Sequence, residues 1–447
     1  MTESILSIDF NQTNGRRIRP LHGVNSGPLT KVFTYDARKE FREAGIPFAR
    51  LHDVEYPYGS GEFVDVHCIF KNFDADENNP ENYSFKLTDL YLEACFEAGA
   101  EPLYRLGESI EHAPVKMHIY PPKDYGKWIR ILEHVIMHYT EGWADGYRWP
   151  ITYWEIYNEP DGRGNMWRGT PEEFYELYCQ AAVYLKKRFP ELKIGGCGFT
   201  KPTNEFIEGF FRYLQSYPER VPLDFYSWHL YFSDASKVSA AAKTADELLA
   251  RYGYPEAESV LDEWNYIRDW NDQPDSYVAM KNEVGASFYA AVLADLQTKT
   301  RVGVACLFEA DVVKEFCGLF NVGEMWIGNH GRKASMAKTK GFYAFKAYNE
   351  LYRLGEEIPV LTGVADGRSE SVLHAAAAAD RTGRFGILIA NPSTEAGKLS
   401  LKWNEGLSGH AYLTDARCTF GRLPEFDPDE IILPPHSFLY VGNTIRE

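Results

Sequence analysis

Residues 151–162 read ITYWEIYNEPDG. A seven-residue run of largely aromatic and β-branched character, the composition of a buried strand, ends in Asn158-Glu159-Pro160. The residue before a proline is pushed toward extended geometry, so Glu159 is expected to stay in line with the strand and point out of its C-terminal end. Runs of the same kind recur on both sides of this one, separated by longer amphipathic stretches. They are RPLHGVN, PFARLHD, AEPLYRLG, then ITYWEIYN itself, LKIGGCGF, LDFYSWHL, ESVLDEWN and GVACLFEA. Between them KLTDLYLEACFEAG, KWIRILEHVIMHYTEG, PEEFYELYCQAAVYLKKRF and VGASFYAAVLADLQTK place apolar residues three and four apart, as helices do. Eight strand-helix units predict an α/β fold, a (β/α)8 TIM barrel, in which reactive groups sit at the C-terminal ends of the strands.

The last unit closes with KGFYAFKAYNELYRLGEEI, and beyond it the texture changes. SVLHAAAAAD, a turn at RTG, RFGILIANPS and DEIILPPHSFLYVGN read as strands joined by turns, a smaller C-terminal β-sandwich. The opening ILSIDF is extended as well and is expected to join that sandwich. The division is therefore residues 1–16 as an N-terminal sandwich strand, 17–356 as the barrel and 357–447 as the sandwich. Alanines 375–379 are weak strand formers whose context is expected to override their preference.

Composition narrows the function. The formal charge of −17 repels nucleic-acid phosphates and anionic membranes and favours a neutral or cationic partner. Aromatic residues at 15% suit a concave site with stacking walls. MTESILSIDFNQTNG has neither the basic nor the apolar region of a secretory signal, and seven cysteines without CxxC spacing cannot all pair, so a reducing cytoplasmic setting is expected. No run of about 20 apolar residues spans a membrane. Neither cofactor nor metal is expected, and homo-oligomerisation is left open.

A second carboxylate matches Glu159. ESVLDEWN, the seventh strand, ends at Glu263, and because side chains alternate along a strand, Asp262 and Glu263 are expected to face opposite sides. Two glutamates at the ends of different strands supply what glycoside hydrolysis needs, a proton donor for the leaving oxygen and a negative charge for the oxocarbenium-like centre. A separation of about 5 Å would imply a retaining mechanism.

An Asn-Glu pair after strand four and a glutamate after strand seven resemble glycoside hydrolase clan A. YWEIYNEPDG, FARLHD, FYSWHLYF, LDEWN and LFEADVVKEF, in that order, resemble family 39 of that clan, the β-xylosidase and α-L-iduronidase family. The resemblance implies that Glu159 is the acid/base and Glu263 the nucleophile of a retaining, exo-acting hydrolase of an oligosaccharide or glycoside. Asn158 would bind the sugar 2-hydroxyl, His229 and Tyr231 would line the subsite for the terminal sugar, His52 would contact the sugar, and Arg50 would lie near Asn158 and Glu263. Glu315 would hold a distal hydroxyl. His22 is a further candidate.

Two positions depart from the family pattern. Tyr157 stands where its xylosidases commonly have tryptophan, and Lys314 replaces one of two adjacent glutamates in DVVKEF. An inward Lys314 would suit a uronic acid, so a uronidase, or a galactoside- or arabinoside-cleaving enzyme, is the alternative. The long segment 55–84 is expected to shape the entrance, with Tyr56, Tyr58 and Phe73 as stacking candidates and Trp167 as another. Asp74, Asp76 and Glu77 lack the ordered spacing of a calcium loop. Two rivals from other classes are a metal-dependent hydrolase using His52, His112 and His229, which lacks HxH or HExxH spacing, and a carbohydrate-binding protein without catalysis.

Overall fold

In a computed structural model of the chain the eight expected strands close into one parallel barrel. The structure describes residues 3–30, 35–52, 54, 63–108, 115–162, 164, 166–312, 314–324, 335–364, 373–404 and 406–445. The barrel strands, in order, are Gly23–Asn25, Phe48–Arg50, Glu101–Leu106, Tyr153–Ile156, Lys193–Phe199, Phe225–Phe232, Glu258–Tyr266 and Val304–Leu307. Cys306 opposite Gly23 closes the ring. Phe48, Leu103, Tyr153, Phe225, Val260, Val304 and Cys306 form an apolar plug inside it. Two residues further along their strands Arg50, Glu155 and Asp262 replace that plug with buried charge, and this charged layer carries the mouth.

Helices surround the barrel for reasons legible in the chain. Helix Pro171–Arg188 opens with a capping box in which the Thr170 hydroxyl accepts from the Glu173 amide and the Glu173 carboxylate accepts from the Thr170 amide. It begins with Pro171, carries Glu172 and Glu173 in its first turn and Lys186, Lys187 and Arg188 in its last, and so complements its own dipole at both ends. Helix Glu283–Lys299 is buried on nearly every side because it lies between barrel and sandwich. No described helix is long and apolar enough to cross a membrane.

The sandwich consists of two sheets. One orders Glu356–Ile358, His374–Ala379, Phe385–Asn391, Ser437–Gly442, His410–Thr414 and Gly421–Arg422. The other orders Val360–Val364, Glu3–Ile8, Gly397–Trp403 and Ile431–Leu433, so the N-terminal strand lies within the sandwich, parallel to Gly397–Trp403. The alanine run is a strand. Ala376 and Ala378 join the core shared with the barrel helices, while Ala377 and Ala379 face the second sheet. Small side chains on both faces let a helix and a sheet approach one central strand, which outweighs the low intrinsic preference of alanine.

Candidate active site

The fourth strand does not run straight into Glu159. Tyr157 and Glu159 both take positive φ, 74° and 45°, so the expectation that Pro160 holds Glu159 extended is corrected. Three backbone hydrogen bonds impose the turn: Tyr157 N–H donates to Leu106 O (2.7 Å), Glu159 N–H to Gly198 O (3.0 Å) and Gly162 N–H to Glu159 O (2.9 Å). Strain of this kind is held where surrounding structure over-determines it. Gly198 is required at its position, with φ 55°, because a Cβ there would lie 2.9 Å from Arg50 Nη2, 3.0 Å from Asn158 Oδ1 and 3.1 Å from His229 Nε2. The fifth strand thus presses backbone against the charged cluster.

The seventh strand also departs from expectation. Asp262 and Glu263 do not face opposite sides, since both lie against the same guanidinium, Arg50 Nε to Asp262 Oδ2 at 2.9 Å and Arg50 Nη1 to Glu263 Oε1 at 2.7 Å. The physical reason is a bulge. Leu261 pairs with Trp228 and Glu263 with His229, consecutive residues on the sixth strand, so Asp262 is the extra residue and Glu263 is brought round to the mouth.

Arg50 is fully buried and organises the cluster. Its Nε donates to Glu155 (2.8 Å), Nη1 to Asn25 (3.0 Å) and Glu263, and Nη2 to Asn158 Oδ1 (2.6 Å). The last contact fixes the Asn158 amide with its oxygen toward Arg50 and its NH2 group turned elsewhere, available as a donor. Tyr231 Oη donates to Glu263 Oε2 at 2.8 Å, and His52 Nε2 lies 3.7 Å from Glu263 Oε1. His229 Nδ1 lies between the two glutamates, 2.7 Å from Glu159 Oε1 and 3.3 Å from Glu263 Oε2. The facing atoms of Glu159, His229 and Glu263 all lie within 4.8 Å of one another.

Protonation follows from burial and charge. Burial lowers the His229 pKa to about 4, so its ring is neutral near pH 7. Burial raises Glu263 above the usual carboxylate range, and Arg50 and the Tyr231 hydroxyl oppose it. Three carboxylates share one guanidinium. Burial raises Asp262 far above its ordinary value, whereas Glu155, despite its burial, is lowered by Arg50 and by hydrogen bonds from Asp262 and Ser227. Asp262 therefore carries the proton and donates it toward Glu155.

The structure brings Arg50, His52, Asn158, Glu159, His229, Tyr231 and Glu263 into one constellation. Glu315 is exposed on the loop after the eighth strand, and Lys314 is half-buried there. His22 packs outside the barrel near the Tyr348 and Tyr352 rings and contacts Asn349. Trp167 is buried edge-on against Tyr157 and Phe174, so it offers no open platform. Tyr56, Tyr58 and His112 lie outside the described residues, and Phe73 sits under the Lys127 ammonium. Glu77 is paired with Arg130 and Lys127. A second group, Asp65, His67 and Glu108, has ligand-type atoms within 4.8 Å of one another, but Arg105 pairs with Asp65 and His67 with Glu108. The sequence reading missed Asn25, Ser26, Glu155, Gly198 and Glu309. It also missed Trp270, which is 52% exposed and edge-on to Tyr231 at 5.3 Å. Their shared signal was position, at or just beyond a strand end.

A closed eight-stranded barrel with a close carboxyl pair at the ends of strands four and seven is the arrangement of a barrel glycosidase. The family model described as Glycosyl hydrolases family 39 matches residues 13–301, and the chain belongs to that family. A β-xylosidase of Caldicellulosiruptor saccharolyticus is 27% identical over 275 residues, 56% of this chain and 52% of that protein. The match thus spans about half the length of that relative. Among solved structures, a glucosidase from Croceicoccus marinus superposes with a TM-score of 0.74 at 21% identity, covering 99% of both chains. A family 39 β-xylosidase from Caulobacter crescentus superposes at 0.66 with 14% identity, over 98% of this chain and 99% of that one. Both likenesses bear on the fold.

Proposed function

We propose that the protein is a retaining, β-xylosidase-like glycoside hydrolase that releases a terminal sugar, with Glu263 as nucleophile and Glu159 as acid/base. The observation that carries this reading is the carboxyl pair within 4.8 Å across His229. Inverting enzymes separate their carboxyl groups by about 6.5–9.5 Å to admit a water, and retaining enzymes by only about 5–5.5 Å.

Glu263, ionised between Arg50 and Tyr231, attacks the anomeric carbon while Glu159 protonates the departing oxygen. A charge on Glu159 is among the causes that raise the Glu263 pKa, and the same repulsion favours a proton on Glu159 while Glu263 is charged. Esterification removes the charge of Glu263, the pKa of Glu159 falls, and Glu159 then takes a proton from water as the ester is hydrolysed. The Asn158 NH2 group, aimed by Arg50, donates to the sugar 2-hydroxyl.

Nitrophenol release from aryl β-xyloside, β-glucoside, β-galactoside, α-arabinofuranoside and α-iduronide tests the reading in wild type and Glu263→Ala. Cleavage of at least one glycoside by wild type, with a loss of several orders of magnitude in the variant, is expected. Equal rates in the two proteins would refute the role of Glu263.

A further inference from the structure

The seventh strand runs to Tyr266, and the turn beyond it carries Trp270. Asp269 Oδ1 accepts from the Asn271 amide (2.8 Å) and from its side-chain NH2 group (3.0 Å), and Asp272 N–H donates to Asp269 O (3.1 Å). Arg268 fastens the turn to the next helix, Gln273–Met280, by its guanidinium to Asp275 (2.8 Å) and its N–H to Ser276 Oγ (3.1 Å). Polar groups thus hold the turn, and the indole it presents is 52% exposed. That indole meets the Tyr231 ring at 5.3 Å, with the ring planes at 69°. Tyr231 in turn donates to Glu263, so one side chain separates the indole from the attacking carboxylate. The aromatic rim continues through Phe316, 6.1 Å from Tyr231, to Tyr277, 5.0 Å from Phe316.

Exposure decides which part of a substrate meets this rim. The Glu159 side chain is 24% exposed and the Glu263 side chain 5%, so the acid stands on the open side of the pair and the oxygen it protonates departs toward solvent. Release of a terminal sugar places that sugar at the buried end, and what projects through the mouth is the leaving group. An indole half in water beside that exit gains by having its apolar surface covered. The nearby charges are occupied with one another, Arg268 with Asp272 and Asp275, so the indole offers surface rather than charge. We infer that Trp270 is a stacking platform for the leaving group and favours glycosides whose leaving group is a ring with an apolar face, aryl or sugar. The inference rests on the hydrolase reading above and deepens it.

Varying the leaving group at constant sugar tests this. Wild type, Trp270→Ala and Trp270→Phe are assayed on the nitrophenyl and naphthyl glycosides of the best-cleaved sugar, on its disaccharide and on its glycosyl fluoride, whose leaving group is a single atom. Loss of one aromatic stacking contact corresponds to roughly 3- to 10-fold in kcat/KM. Trp270→Ala should lose about that factor more on ring-bearing leaving groups than on the fluoride, and Trp270→Phe, which keeps a ring, should recover part of the difference. The acid limb of kcat/KM should stay where wild type has it, because an effect routed through Tyr231 and Glu263 would move it. A differential loss on the two aryl glycosides alone identifies an aryl leaving group, and one that includes the disaccharide identifies a sugar ring. Equal losses on the fluoride and on ring-bearing substrates, no loss on any of them, or a displaced acid limb would overturn the role of Trp270. Glu263→Ala runs alongside: if it is inactive while the Trp270 variants show no dependence on the leaving group, only the Trp270 inference falls. If wild type is inactive on every substrate, or Glu263→Ala matches it, the hydrolase reading falls and takes this inference with it.

Discussion

Replacing Asp262 by asparagine and Glu155 by glutamine, each removing one carboxylate from Arg50, should have very different costs. Arg50 Nε has one hydrogen, and its aligned acceptor is Glu155 at 2.8 Å; the Asp262 oxygen lies 2.9 Å away without an aligned bond. Glu155 also accepts from the Ser227 hydroxyl. It is the ionised partner, and Asp262 is the protonated one. Asparagine has nearly the shape of a protonated aspartic acid and can donate to Glu155 in its place, so Asp262→Asn should cost no more than about 1 kcal/mol. Glu155→Gln breaks the buried ion pair at Arg50 Nε and leaves Glu263 as the remaining ionised partner of the guanidinium, a loss of about 3 kcal/mol. Urea unfolding of both variants, followed by tryptophan fluorescence at neutral pH, measures the difference. Equal losses, or a larger loss for Asp262→Asn, would refute the assignment of the proton.

Three further outcomes follow from the site and its surroundings. Tyr231→Phe removes a hydroxyl that stabilises only the ionised form of Glu263, so the acid limb of kcat/KM should move to higher pH; a limb that stays or moves lower would contradict the contact. Glu159→Gln should slow a xylobiose-like substrate by at least about 100-fold more than a nitrophenyl glycoside, whose leaving group needs no proton; equal slowing would argue against an acid role. Burial holds His22 at about 4 against 6.5 when free, so the unfolded chain gains its proton first as pH falls. Its contribution is complete above pH 6.5 and is lost toward pH 4, amounting to about 3 kcal/mol. Denaturation midpoints should therefore fall less steeply with acidification in His22→Gln than in wild type.

The barrel was readable because its strands are continuous apolar runs and its helices keep a strict three-to-four spacing, patterns imposed by burial on both sides of a parallel sheet. The site was readable in residue identity and less so in geometry. Strand alternation placed Arg50 and His52 on one face correctly, and the structure has both against Glu263. The same rule failed at Asp262-Glu263, because a bulge inserts one residue and no local signal in ESVLDEWN announces it. The pre-proline rule failed at Glu159 for a related reason: the conformation there is set by hydrogen bonds to Leu106 and Gly198, residues distant in sequence. Glu309 shows how matching to a pattern can conceal a residue. LFEADVVKEF was read for the acid aligned with the family's distal pair, which turned attention to Glu315, while the acid at the strand end itself stood six residues earlier. In a barrel the strand end is the position that a closed ring of neighbours aims inward, whereas a loop residue can turn to solvent. Position relative to the last strand hydrogen bond therefore decides burial here, where Glu309 is 1% exposed and Glu315 lies open to solvent.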